Sequence, residues 1–126
     1  MPTVQHFEIP VDDLVRGQKF YKDVFGWDME KAISGENPDQ DYWMFQTQDE
    51  KGNRGISGGM MKRQSPEHKV TNYITVSSID EYTTKIEQAG GKAIMPEMPV
   101  PNMGYIRIYL DSENNMFGLF EERKNS

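Results

Sequence analysis

The sequence lacks cysteine and has few histidines, which limits the nucleophiles and metal sites it can form. The 126 residues include no cysteine, which excludes disulfides, zinc–thiolate sites and a cysteine nucleophile. Only two histidines are present, His6 and His68, and they form no convincing Ser–His–Asp order. The sequence has no P-loop, no G-x-S-x-G motif and no dinucleotide-binding fingerprint. Of the two histidines, His6 lies in a segment whose fold the sequence predicts, and the elements of that segment decide what it can do.

His6 lies in a strand–turn–helix segment that ends at Trp27. Apolar residues alternate along residues 4–11, which is typical of a half-buried strand. Asp12 or Asp13 can cap a helix predicted over about residues 13–25. The helix has one apolar face with three- and four-residue spacing, and Gly26 follows it, as is common after a helix C-terminus.

The same pattern returns 65 residues later, so that His6 corresponds to Thr71 and Gly26 to Gly91. Each half is predicted to fold as β-α-β-β-β, with a proline-rich loop at 96–104 in the second half. We expect one domain over residues 1–126, with module one at about 1–62, a polar connector at 63–69 and module two at about 70–126. Each module is too small to bury its own sheet face, so we expect the modules to pair within a chain or between chains, and we expect a homodimer.

Charge and hydropathy exclude several classes of partner. Lysine and arginine number 14 against 20 aspartates and glutamates, and a net charge of −6 argues against nucleic-acid binding. The sequence shows no basic amphipathic stretch for a membrane surface and no apolar run of membrane-spanning length. It shows no signal-peptide pattern, so we expect a cytoplasmic protein without membrane partners.

Three motifs are shared with a known superfamily. They are H-x6-D-L from His6 to Leu14, F-Y-x-x-V-F-G-W from Phe20 to Trp27, and D-S-E-N-N-x-F-G-L-F from Asp111 to Phe120. With the tandem repeat, they resemble the vicinal oxygen chelate superfamily, which includes glyoxalase I, bleomycin-resistance proteins, fosfomycin-resistance enzymes and extradiol dioxygenases. The resemblance implies an α+β fold of tandem βαβββ modules, which form a half-open concave mixed sheet with helices on the outer face and enclose a ligand cavity.

The resemblance also implies four positions for the ligands of one divalent metal ion. His6 matches the first position, and residues 55–61 contain no His, Asp or Glu for the second. The third position falls on Thr71 and the fourth on Gly118. Because a threonine hydroxyl is a poor ligand for a divalent ion and glycine has no side chain, we expect no standard metal site and no cofactor.

A relocated metal site stays open as an alternative. Its ligands would be His6 and Glu121, with Glu8 or His68 as a further donor. Strand alternation directs Glu121 away from the cavity, so this site requires a β-bulge at residues 114–115.

Strand alternation also predicts the lining of the cavity if His6 points into it. Glu8 then shares the face of His6, while the apolar residues of the first strand face the helices. In the seventh strand of the β-α-β-β-β pattern, Ile106, Ile108 and Leu110 are predicted as the buried stripe, and Tyr105, Arg107 and Tyr109 as cavity residues. The predicted ligand-binding residues are His6, Glu8, Tyr73, Thr75, Tyr105, Arg107 and Phe120.

Arg107 is the most informative of these residues, because a guanidinium facing a cavity either pairs with Glu8 or binds a planar anion. Two classes of function follow. The first is a glyoxalase/bleomycin-resistance-like protein that binds a small anionic or aromatic molecule without the standard metal. The alternative is a metal-dependent enzyme of lyase, isomerase or dioxygenase type with the relocated site. A small assembly partner without a ligand is a third possibility.

Overall fold

The structure is a computed structural model, and it describes residues 1–123. This part of the chain contains nine strands, two α-helices and a short 3-10 helix at Pro38–Gln40. The elements are β1 (Thr3–Val11), α1 (Leu14–Phe25), β2 (Glu30–Ile33), β3 (Tyr42–Gln48), β4 (Arg54–Lys62), β5 (Thr71–Val76), α2 (Ile79–Gln88), β6 (Lys92–Ala93), β7 (Met98–Val100), β8 (Gly104–Leu110) and β9 (Met116–Glu122). The α+β class is confirmed. Neither helix in the described residues is long and apolar enough to cross a membrane.

The chain divides into two compact units. The N-terminal unit is His6–Val70, and the C-terminal unit is Met1–Gln5 with the described residues from Thr71 onward. The predicted connector 63–69 lies within the N-terminal unit. There the Arg63 guanidinium donates to Asp12 and to the main-chain oxygens of Pro10 and His68, which fixes the start of the connector beside the end of β1.

The sheet of the N-terminal unit has the order β2–β3–β4–β1, with β1 parallel to β4 and the other pairs antiparallel. Helix α1 begins because the Asp13 side chain accepts a hydrogen bond from the Arg16 N–H (2.9 Å). It ends at Gly26, whose φ of 74° is left-handed. The apolar side of α1 packs on Ile9, Phe45 and Met60, and we call this side of the sheet the helix face and the opposite side the far face.

The sheet of the C-terminal unit is built on β5–β9–β8, with β5 parallel to β9 and with β6 and β7 both paired to β8. Its core on the helix face contains Val76, Ile79, Tyr109 and Leu119. The backbone N–H of Ile79, at the first turn of α2, donates to the Glu121 carboxylate (2.7 Å). The last strand therefore holds the start of the helix in place.

The predicted face of β8 is wrong. Directly opposite residues of an antiparallel pair project to the same side, and Arg107 lies opposite Leu119 while Tyr109 lies opposite Phe117. Because Leu119 belongs to the helix-face core, Tyr105, Arg107 and Tyr109 lie on the helix face. The aliphatic residues Ile106, Ile108 and Leu110 lie on the far face instead.

Two predicted elements also differ from those observed. The second strand begins at Glu30 rather than Trp27, because the Trp27 ring stacks between Tyr21 (5.2 Å between centroids) and Phe45 (4.8 Å). The predicted loop 96–104 contains β7, which pairs with β8. Its prolines are compatible with this assignment because β7 pairs only along one side and an edge strand can spare N–H groups.

Candidate functional site

His6 lies at the centre of a chain of three polar side chains in the N-terminal unit. Its Nδ1 is 2.8 Å from Ser57 Oγ, and its Nε2 is 2.7 Å from the Tyr42 hydroxyl. The strand register explains the first contact, because His6 of β1 pairs with Ser57 of β4. Tyr42 reaches the same place from β3, on the other side of β4. Three strands thus contribute one side chain each to the far face.

Gly59 allows Tyr42 to reach His6. A Cβ atom at Gly59 would overlap the Tyr42 phenol oxygen and ring, so only glycine leaves room for this side chain. On the opposite face, Gly58 leaves the same kind of space for the ring of Phe45. The Gly58–Gly59 pair therefore carries one aromatic ring on each face of β4.

Ser57 and Tyr42 were not among the residues predicted from the sequence. The signal that could have found them is the pair of glycines inside a strand, which often marks the close approach of another group. The sequence does not say which side chain makes that approach.

Burial lowers the pKa of His6 below its ordinary value of 6.5, because a charged imidazolium loses solvation there. The ring is therefore neutral at pH 7, with one N–H and one lone pair. The hydroxyl that meets the lone pair donates to it. The hydroxyl that meets the N–H accepts, and it keeps its own proton to donate elsewhere. In either tautomer one hydroxyl proton of the chain is directed away from the imidazole, and the lone-pair nitrogen can take a proton.

Glu8 shares the far face with His6, as predicted. It is half-buried, lies two residues along β1 and pairs with Gly59. The structure therefore places a carboxylate near the His6–Ser57–Tyr42 chain.

In the C-terminal unit, three predicted ligand-binding residues lie on the far face. The Tyr73 ring covers Gly118, where a Cβ would overlap it, and Tyr73 is only 5% exposed. Two residues further along these parallel strands, Thr75 pairs with Phe120, and both residues are half-buried. The buried Thr71 hydroxyl, on the same face, donates to the Met116 sulfur (3.6 Å).

The other two predicted ligand-binding residues, Tyr105 and Arg107, require a correction. Both lie on the helix face, for the pairing reason given above. The Arg107 Nε donates to the main-chain oxygen of Met95 (2.9 Å), and its guanidinium lies 5.9 Å from the centre of the Tyr109 ring. Tyr105 is 40% exposed. An anion clamp at Arg107 on the far face is therefore not formed.

The residues at the metal positions implied by the resemblance do not fit a divalent ion. A metal bound to His6 Nε2 would lie about 2.0–2.1 Å from that nitrogen, and the Tyr42 oxygen already stands 2.7 Å from it. Thr71 offers a neutral hydroxyl, and Gly118 offers no donor. Within residues 1–123, no three His, Cys, Asp or Glu side chains form a group that could hold a metal ion.

Glu121 is engaged elsewhere, since its carboxylate accepts the Ile79 N–H on the helix face. The pairing of β8 with β9 runs without a register shift from Leu110–Met116 to Gly104–Glu122. The bulge required to turn Glu121 to the far face is therefore not formed.

Two shallow grooves in the N-terminal unit meet at Asp12 and Arg63, away from His6. The donors of Arg63 are directed at Asp12 and at two main-chain oxygens of the same unit. We therefore assign no ligand to these grooves.

Comparison with known proteins gives one family match and a consistent fold. Residues 3–48 match the family described as "Bleomycin resistance protein-like N-terminal". No curated protein matches the chain in sequence.

Three solved structures illustrate the likeness in fold. A methylmalonyl-CoA epimerase variant from Streptomyces coelicolor, in complex with 2-nitronate-propionyl-CoA, has a TM-score of 0.69 at 14% identity, over 96% of this chain and 97% of that one. A hypothetical protein from Bacillus halodurans has a TM-score of 0.67 at 13% identity, over 99% and 97% of the two chains. The methylmalonyl-CoA epimerase of Mycobacterium tuberculosis has a TM-score of 0.66 at 13% identity, over 96% and 88%.

Proposed function

Because the chain has the vicinal oxygen chelate fold, as its motifs predicted, we propose that it binds a small molecule at the far face around His6 and does so without the superfamily's metal ion. One observation carries the proposal. A half-buried, neutral imidazole is held between two hydroxyl groups on the face that the helix leaves uncovered. A small set of convergent polar groups on such a face is typical of a small-molecule site.

The ligand best suited to this site carries a neutral carbonyl oxygen, as in a ketone, an ester or a thioester. The hydroxyl that keeps its proton can donate to that oxygen. A carboxylate is less suited, because Glu8 lies on the same face and Arg107 does not supply a compensating charge there. One of the solved epimerases is in complex with methylmalonyl-CoA, which has a thioester and also a carboxylate, so the parallel extends to the thioester alone.

We expect a ligand from this class to raise the melting temperature of the wild-type protein. Binding to the folded state alone adds about 2.7 kcal/mol at a ligand concentration a hundred times Kd. The measurement is a thermal-shift screen of small ketones, esters, thioesters, aromatic compounds and carboxylic acids. His6→Ala should abolish the shift, because it removes the group that orders both hydroxyls.

The matched control is His68→Ala, which removes the other histidine from the connector and should leave the shift intact. A shift that survives His6→Ala, or one that His68→Ala removes equally, would show that the ligand binds elsewhere. If no compound of the panel stabilises the protein, the proposed ligand class is wrong.

A second candidate is a metal-dependent enzyme of lyase, isomerase or dioxygenase type that binds its metal ion through His6. The likeness to methylmalonyl-CoA epimerases favours such an enzyme at the level of fold. The hydrogen bond from the Ile79 N–H keeps Glu121 on the helix face, so Glu121 is not a ligand of such a metal ion. Stoichiometric metal in protein purified without chelator, lost in His6→Ala, would favour this candidate over ours. The single domain over 1–126, the homodimer and the cytoplasmic location stay predictions.

A further inference from the structure

Gly59 and Gly118 hold corresponding positions in the two units. Gly59 pairs with Glu8 in the parallel β1–β4 pair, and Gly118 pairs with Tyr73 in the parallel β5–β9 pair. Glu8 and Tyr73 are related by the 65-residue repeat. In each unit, a tyrosine ring from the adjacent strand covers the glycine at a distance that a Cβ atom would not permit. In both units, a tyrosine ring therefore occupies the space that a side chain at the glycine position would fill.

In the N-terminal unit, the covering ring also decides what His6 can bind. The Tyr42 oxygen is 2.7 Å from His6 Nε2, and it stands where the first atoms of a side chain at position 59 would be. A metal ion on Nε2 would need this space, and so would a second ligand from β4. One phenol group fills both positions.

We propose that Tyr42, seated on Gly59, closes His6 Nε2 to metal ions, and that the Ser57–His6–Tyr42 chain offers a hydroxyl proton to a carbonyl oxygen of the ligand in their place. Tyr42 is then the residue that determines the specificity of the site. The part of this inference that concerns the carbonyl ligand rests on the proposed function, whereas the exclusion of metal does not.

The test removes the Tyr42 phenol and adds a second metal ligand beside His6. In Tyr42→Ala/Gly59→His, the phenol is removed and a second imidazole is placed within reach of His6. We expect this variant to bind one Ni²⁺ by isothermal titration calorimetry at least about tenfold more tightly than the wild type, and to lose the gain when His6→Ala is added. The control Tyr105→Phe changes an exposed tyrosine of the C-terminal unit and should leave the Ni²⁺ affinity at the wild-type value.

A milder variant keeps the inference testable if the double variant does not fold. In Tyr42→Ala alone, Ni²⁺ should broaden the NMR signals of the His6 ring, while in the wild type it should leave them sharp. Two results would overturn the inference: a wild-type protein that binds Ni²⁺ through His6 as tightly as the variants do, or folded variants with no gain. A failed ligand screen together with a positive metal series would reject the proposed function and retain the exclusion of metal.

Discussion

Replacing Tyr109 by alanine is expected to lower the free energy of unfolding by about 3–5 kcal/mol. Tyr109 is fully buried in the helix-face core of the C-terminal unit, beside Ile79 and Leu119. Its ring stacks on Phe117 with 5.5 Å between centroids, and its hydroxyl lies 2.6 Å from that of Thr83. Truncation would leave a cavity and an incompletely bonded threonine. Urea denaturation followed by circular dichroism measures the loss.

The matched control is Tyr105→Ala, on the same strand and the same face but 40% exposed. Its expected cost is within about 0.5–1 kcal/mol, because a partly exposed ring loses little packing. Tyr109→Phe should cost about 1 kcal/mol, the contribution of one hydrogen bond. Equal, small losses for the two alanine variants would contradict the core position of Tyr109 and would favour the face predicted from the sequence.

Replacing Gly118 by glutamate is expected to lower the free energy of unfolding by about 3 kcal/mol or more. The resemblance to the superfamily places a metal ligand here, so this change would restore the expected residue type. In this chain, however, the Tyr73 ring occupies the position of the new Cβ, and the surroundings are buried. Either the ring moves or the strand pair separates, and a carboxylate is buried in addition. The midpoint of chemical denaturation measures the effect.

A second substitution tests the stated cause. Removing the ring with Tyr73→Ala should cost stability in the wild-type background but restore part of it in Gly118→Glu, which gives a favourable coupling energy in a double-mutant cycle. The control Ser112→Glu places the same carboxylate in the exposed β8–β9 turn and should be nearly neutral. Strictly additive losses at positions 73 and 118 would show that the tyrosine ring is not what excludes a side chain.

The predicted face is correct for β1 and wrong for β8, and both outcomes have the same physical cause. In β1, the apolar residues Phe7, Ile9 and Val11 occupy one face, so simple alternation is sufficient. Strand β8 has large residues on both faces, aliphatic on one and aromatic on the other. Alternation alone assigns the aliphatic stripe to the core, although the aromatic Tyr109 is the fully buried residue.

The β8–β9 turn contains the information that resolves this ambiguity. Asp111–Asn115 is a five-residue loop in which the Asp111 N–H donates to the Asn115 oxygen and the Asp111 carboxylate accepts the Asn115 N–H. This closure places Leu110 opposite Met116, and hence Ile108 opposite Gly118. Loop length combined with alternation therefore assigns the faces of β8 correctly.

The candidate site was only partly predictable for a different reason. His6 and Glu8 belong to one strand, so alternation alone places them together. Ser57 and Tyr42 meet His6 through the register of β1 against β4 and through the packing of β3, over separations of 51 and 36 residues. Local pattern does not determine such a register. Only the glycine at position 59 indicated that another group approaches closely.

The lowered pKa of the His6 ring predicts how the stability of the folded protein depends on pH. The pKa of His6 is below 6.5 in the folded protein because of burial, and that of His68 is lowered by burial and by Arg63. The unfolded chain therefore binds more protons than the folded one just below pH 6.5. The stability contributed by these rings should be fully present above pH 6.5 and should decrease as the pH falls toward their folded pKa values.

The most direct test of the account is a long-range proton–nitrogen NMR correlation of the histidine rings across this pH range, with His68→Ala used to assign the signals. We predict that the His6 ring is neutral at pH 7, that its pKa is below 6.5, and that Tyr42→Phe shifts its Nε2 signal. A His6 ring that titrates at or above 6.5 and does not respond to Tyr42→Phe would contradict the hydroxyl–imidazole–hydroxyl site.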